Sequence, residues 1–86
     1  MKKVYKYALV FGIFSLYLPV GAVPLKAAMQ DGVPMIWCLV DPFAASENRK
    51  FFVAGTGQEI NDKLCSLVFV DTFFVDELVF HVFELT

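Results

Sequence analysis

Apolar and polar positions along this chain recur with the period of an extended strand rather than that of a helix. Tyr5, Tyr7 and Leu9 stand at spacing two with Lys6 between them, as in a strand with one wet face. Leu25–Gln30 is a short extended run. The dipeptide Asp31-Gly32 then supplies the residues a two-residue hairpin turn needs, and VPMIWCLVD answers as the return strand. Pro42 ends that ladder, and FAASENRK reads as a polar turn or a single helical turn with Ser46 as its N-cap. KFFVA is a further strand closed by Gly55-Thr56-Gly57, and QEINDK is polar and turn-like. LCSLVFVDTFFV and LVFHVFEL, rich in β-branched and aromatic residues, flank Asp76-Glu77 as the arms of a C-terminal hairpin. Because those arms are apolar at nearly every position, they are expected to be central strands covered on both faces. The pattern predicts an all-β chain, a small single-domain antiparallel β-sandwich or partly open barrel of about six to seven strands spanning residues 1–86.

The opening segment, MKKVYKYALVFGIFSLYLPVGA, supports a second reading. No charge falls between Lys6 and Lys26, so Tyr7–Leu25 reaches the lower length limit of a membrane-spanning helix. Lys2 and Lys3, the apolar ALVFGIFSLYL and the small residues of Val20-Gly21-Ala22 also have the order of a secretory signal peptide. Against a helix stand Pro19 and Pro24, which suit turns and would remove helical hydrogen bonds. The favoured expectation is a hairpin of strands at Val4–Leu9 and Phe14–Leu18. In the alternative, residues 1–22 are a targeting segment or membrane anchor.

Composition narrows the function classes. Hydrophobic residues make up 58% of the chain and ten residues are Phe, which argues against disorder. A net charge of −2 argues against a general nucleic-acid binder, which needs a basic surface to displace counterions from phosphates. The ends differ in sign: Lys2, Lys3, Lys6 and Lys26 lie near the start, and Asp71, Asp76, Glu77 and Glu84 near the finish. Val4–Leu9 is therefore expected near Leu78–Leu85, with opposite charges close.

Candidate chemistry is sparse. His81 is the sole histidine, and counting back from a hairpin tip at Asp76-Glu77 places Thr72 opposite it, so its expected partner is a hydroxyl rather than a carboxylate. Adjacent strand residues point apart, so Asp76 and Glu77 do not form an acid/base pair. Cys38 and Cys65 have no Cys-x-x-Cys spacing and no second histidine to complete a zinc site. No catalytic residue, metal site or cofactor is expected. Gly55, Thr56, Gly57 and Gln58 form a weak anion-loop candidate, for which a strand-ending turn is the simpler reading. Trp37 shares a strand face with Met35 and Leu39, for which core packing is expected. FGIFSLY concentrates Phe11, Ile13, Phe14, Leu16 and Tyr17, more than one strand face can bury. Phe11, Phe14 and Tyr17 are therefore candidate partner-binding residues, with Phe14 and Tyr17 as anchors.

The stretches KVYKYAL, LPVGA, QDGVPMIWCLVDP, RKFFVAGTG and LVFHVFEL together resemble a family of small uncharacterised proteins common in bacteriophage and prophage genomes. The resemblance implies a compact β-domain that begins at its own first strand, without a signal peptide and without a known activity. Two stretches depart from it: FGIFSLY stands where the family is usually polar and acidic, and Gln58 follows Gly-Thr-Gly where His is common. With this resemblance, an apolar interaction surface and no catalytic equipment, the chain is expected to be a phage-type accessory protein of the bacterial host cytoplasm that binds a protein partner or itself and blocks a host or defence factor. No nucleic acid is expected, and a membrane is disfavoured. The alternative is an exported or membrane-anchored protein with a Cys38–Cys65 disulfide.

Overall fold

A computed structural model describes residues 1–61 and 66–86. Among these residues seven strands follow in order: β1 (Lys3–Ala8), β2 (Gly12–Pro19), β3 (Val23–Gln30), β4 (Val33–Val40), β5 (Ser46–Gly55), β6 (Leu67–Val75) and β7 (Leu78–Leu85). They form two antiparallel sheets, β1-β4-β3 and β2-β5-β7-β6, and neither closes into a barrel. Among the described residues no helix is long and apolar enough to cross a membrane.

Local turn chemistry places the strand ends. Asp31 and Gly32 both take positive φ, 50° and 79°, as the turn joining β3 to β4 requires. At the other predicted hairpin Asp76 has φ 53°, and Val75↔Leu78, Phe73↔Phe80 and Thr72↔His81 pair in the register counted from the sequence. Val20-Gly21-Ala22, the stretch resembling a cleavage site, is a tight turn: Ala22 N–H donates to Pro19 O at 3.0 Å, and Gly21 takes φ 82°. It carries the chain from the four-stranded sheet back to the three-stranded one. Small residues serve it for structural reasons, since Gly21 needs left-handed backbone and Ala22 is buried.

Several expectations are corrected. β1 and β2 are not a hairpin: β1 pairs with β4 and β2 with β5, in different sheets. Ser46 begins β5 rather than capping a helical turn, and the turn before it is held by Asp41, whose side chain accepts from Phe43 N–H at 3.0 Å. β7 is central, but β6 is an edge strand with Val68, Phe69 and Phe74 exposed, so the C-terminal hairpin is not covered on both faces. The basic β1 and acidic β7 lie in different sheets. Instead, Glu84 finds its partner in Arg49 of β5.

Both sheets contribute inward faces to one core. Ala27, Ile36, Cys38 and Val40 come from the three-stranded sheet, and Leu18, Phe51, Val53, Phe73 and Val82 from the four-stranded one. Trp37 is on the other face of β4, half-buried, with Lys6 of β1 and Lys26 of β3 as its cross-strand neighbours. Both faces of β4 are apolar in sequence, so its own pattern does not choose between them. Burying Trp37 would also bury two lysines, whose charges are costly to desolvate, and the Ile36-Cys38-Val40 face goes inward.

The two sheets meet along one seam. β3 runs close to β6, and a register slip between Phe69 and Asp71 aims the Asp71 carboxylate across the gap. One of its oxygens accepts from Ala27 N–H at 2.7 Å and the other from Thr72 N–H at 2.8 Å. The β3 edge is thereby capped by a side chain where a ladder does not continue.

Candidate protein-binding face

Register places four apolar side chains in one row across the outward face of the four-stranded sheet. Ile13 of β2 pairs with Phe52 of β5, Phe52 with Phe83 of β7, and Phe83 with Phe69 of β6. Opposed residues of an antiparallel pair project to the same side, so the row is continuous. Phe69 and Phe83 meet edge to face with centroids 6.0 Å apart. Phe52 is buried, whereas Ile13 is 63% and Phe69 59% exposed. The next row contains Lys50, Leu85 and Leu67. Between the rows lies an open, mostly apolar groove of about 550 Å³, lined by Ile13, Lys50, Phe52, Asn61, Leu67 and Leu85 among others.

The predicted partner-binding residues divide by strand parity. Tyr17 projects outward from β2 and is 68% exposed. Phe14 projects inward, half-buried, and stacks on Phe51 with centroids 5.9 Å apart. Phe11, in the crossing between sheets, leans on Phe80 at 4.7 Å and is partly exposed. Phe69 and Ile13 are the outward residues that join Tyr17. Their common face depends on pairing between strands far apart in sequence, and a local pattern carries no sign of it.

Gly55, Thr56, Gly57 and Gln58 form a closed turn. Gln58 N–H donates to Gly55 O, Gly55 N–H to Gln58 Oε1, and Thr56 N–H to Val79 O, while Gly57 takes φ 87°. Most of the loop's donors are therefore satisfied internally, as in a turn ending a strand. Thr56 has a further role. Its hydroxyl lies 2.8 Å from His81 Nε2, and Thr72 Oγ1 lies 3.0 Å from Nδ1, so the predicted hydroxyl partner of His81 is present together with a second one. Thr56 Oγ1 donates to Val79 O, which leaves it to accept from Nε2–H. The imidazole ties three chain segments together.

The inward polar pair is bidentate. Arg49 Nε and Nη2 donate to the two Glu84 carboxylate oxygens at 2.6 and 2.7 Å, and Nη1 donates to Ala22 O. The bond to Glu84 raises the Arg49 pKa, against the opposing effect of burial. Cys38 is a fully buried free thiol. Burial pushes it up to about 11, Arg49 opposes that shift, and Glu84 adds to it. Cys38 is expected to resist alkylation in the native chain at pH 8 and to react on denaturation, as followed by mass spectrometry; labelling at the native rate of a free peptide thiol would contradict its burial. Cys65, the other half of the alternative disulfide, lies outside the described residues, as do the last two residues of QEINDK. Among the described residues no group of His, Cys, Asp and Glu could hold a metal ion.

These features define a small all-β domain of two antiparallel sheets that presents an aromatic outer face. The chain belongs to the DUF7352 family, a domain of unknown function whose model matches residues 1–86. No curated protein and no solved structure matches it.

Proposed function

We propose that this chain is a small bacteriophage-type accessory protein that acts by binding, occluding a surface of a host or defence protein in the bacterial cytoplasm rather than catalysing a reaction. The observation that carries this reading is the outward Ile13–Phe52–Phe83–Phe69 row, with its flanking groove and the exposed Tyr17 beside it. Exposed aromatic side chains over a firm sheet are favourable interface anchors, because they desolvate a large area at little cost in side-chain entropy. Lys50 in the adjacent row selects the chemistry of the occupant, an apolar protein segment carrying a carboxylate that meets the ammonium. The resemblance to phage and prophage proteins supports the setting.

The test uses full-length protein as bait in a bacterial host lysate, followed by affinity measurement with the purified partner. Phe69→Asp is expected to weaken binding at least ~30-fold, the loss of about 2 kcal/mol typical of an interface anchor, while leaving the melt of this edge residue nearly unchanged. Lys50→Glu should weaken the same complex and flatten or reverse its loss with salt, because salt then screens a repulsion instead of an attraction. A partner bound equally well by Phe69→Asp and wild type would place the contact elsewhere and remove the basis of this reading.

A further inference from the structure

Four strands lie at sheet edges, and three of them carry features that hinder pairing with another chain. β1 bears Lys3 and Lys6. β3 contains Pro24, a register slip between Pro24 and Lys26, and the Ala27 N–H that Asp71 occupies. β6 has its own register slip and runs beside β3. These are the usual protections of an open edge: charge, proline, bulge and cover. β2 has none from Gly12 to Leu18. Its sequence GIFSLYLP lacks a charged residue and has proline only at its last position, and its ladder to β5 runs without a slip.

The free edge of β2 can be specified by residue. Val20 N–H donates to Ala45 O at 2.7 Å, in the same register that pairs Gly12 with Val53 and Pro19 with Ser46. In an antiparallel ladder, backbone groups point alternately toward and away from the neighbour. Phe14, Leu16 and Leu18 therefore bond to β5, and the N–H and C=O groups of Ile13, Ser15 and Tyr17 face outward. Pro19, which has no N–H, falls at an outward position, consistent with this phase.

We propose that two copies of the chain join edge to edge through β2, antiparallel about a two-fold axis at Ser15. In that register Ile13 faces Tyr17 of the second copy, Ser15 faces Ser15, and Tyr17 faces Ile13, so the outward backbone groups of each strand meet those of the other. Side chains agree with this arrangement. Ile13 and Tyr17 pair across the axis on the outer face with the two Ser15 side chains between them, and Phe14 pairs with Leu16 on the inner face. Electrostatics select this edge over β1, where self-pairing would bring Lys3 and Lys6 toward their own copies. The product is one sheet running through both protomers, with the aromatic row of each meeting Tyr17 of the other. This inference rests on the edge and not on the proposed partner face, and it can fail without affecting that proposal.

Sedimentation of the full chain from nanomolar to millimolar concentration, with amide hydrogen exchange at both ends, tests it. The mass is expected to rise from 9.7 kDa to twofold that value. In the dimer the Ile13, Ser15 and Tyr17 amides should gain protection, while those of Phe14, Leu16 and Leu18 are protected at every concentration. Ser15→Pro removes an outward N–H that β5 does not use, a position where an edge strand tolerates proline. It should keep the fold, seen as retained protection at Phe14 and Leu16, and remain monomeric. Ile13→Lys, which copies the protection found on β1, should do the same if proline disturbs the strand. A chain monomeric at millimolar concentration, whose edge is then open to a foreign strand or to none, would overturn the proposal. So would a dimer whose Ile13, Ser15 and Tyr17 amides exchange freely, or one that persists in Ile13→Lys.

Discussion

Removal of residues 1–22 is expected to abolish cooperative folding. β1 is the neighbour of β4 on one side and β2 the neighbour of β5 on one side, so a fragment of residues 23–86 loses one strand from each sheet. Leu9, Leu18 and Ala22 leave the core with them, and Arg49 loses the Ala22 carbonyl. A single buried leucine is worth about 2–5 kcal/mol when truncated, and a whole domain is stable by only about 5–15 kcal/mol. Two missing strands exceed that margin, and the newly opened β4 and β5 edges favour aggregation. Thermal melting by far-ultraviolet circular dichroism should show a sharp transition for the full chain and none for the fragment. A fragment with a cooperative β-type melt would show that the first two strands are dispensable and would revive the reading of the opening segment as a removable leader.

Glu84→Ala is expected to cost about 3 kcal/mol, because it leaves the Arg49 guanidinium in the interior without its carboxylate. Both side chains are only 15% exposed, so water replaces the lost partner poorly. For a chain of this length that corresponds to a fall in Tm of about 12 °C or more. The double change Arg49→Met with Glu84→Leu should recover most of the loss, since an apolar pair of similar volume has no charge to desolvate. Denaturant melts of the single and double variants decide the matter. A Glu84→Ala protein as stable as wild type would mean that Arg49 reaches solvent on its own.

The C-terminal hairpin shows how far local counting extends. Val75↔Leu78 and Thr72↔His81 followed from a turn at Asp76-Glu77 because a two-residue loop leaves a single register for its arms. The Thr72 contact with His81 was legible for the same reason, whereas the Thr56 contact on the other ring nitrogen was not, because it depends on the end of β5 lying beside β7. Trp37 marks the same limit on β4. Either face could have been core until Lys6 and Lys26 were placed beside it. In FGIFSLY the sequence required some side chains to face outward, and alternation within β2 made them Ile13 and Tyr17 rather than Phe14.

What the amino-acid sequence determined by itself is the β-class of the chain and the two hairpins β3–β4 and β6–β7, together with the turns at Gly32 and Gly57. Each of these depends on residues within a few positions of one another, where backbone preference and period-two patterning act directly. Tertiary structure alone decided the division of the strands between two sheets, the separation of β1 from β2, the Arg49–Glu84 pair, the Asp71 seam and the aromatic row from Ile13 to Phe69. Those features join segments distant along the chain. Their registers are set by how both sheets bury one shared core while keeping lysines wet and backbone groups paired, a condition on the whole set of strands that no single stretch can express.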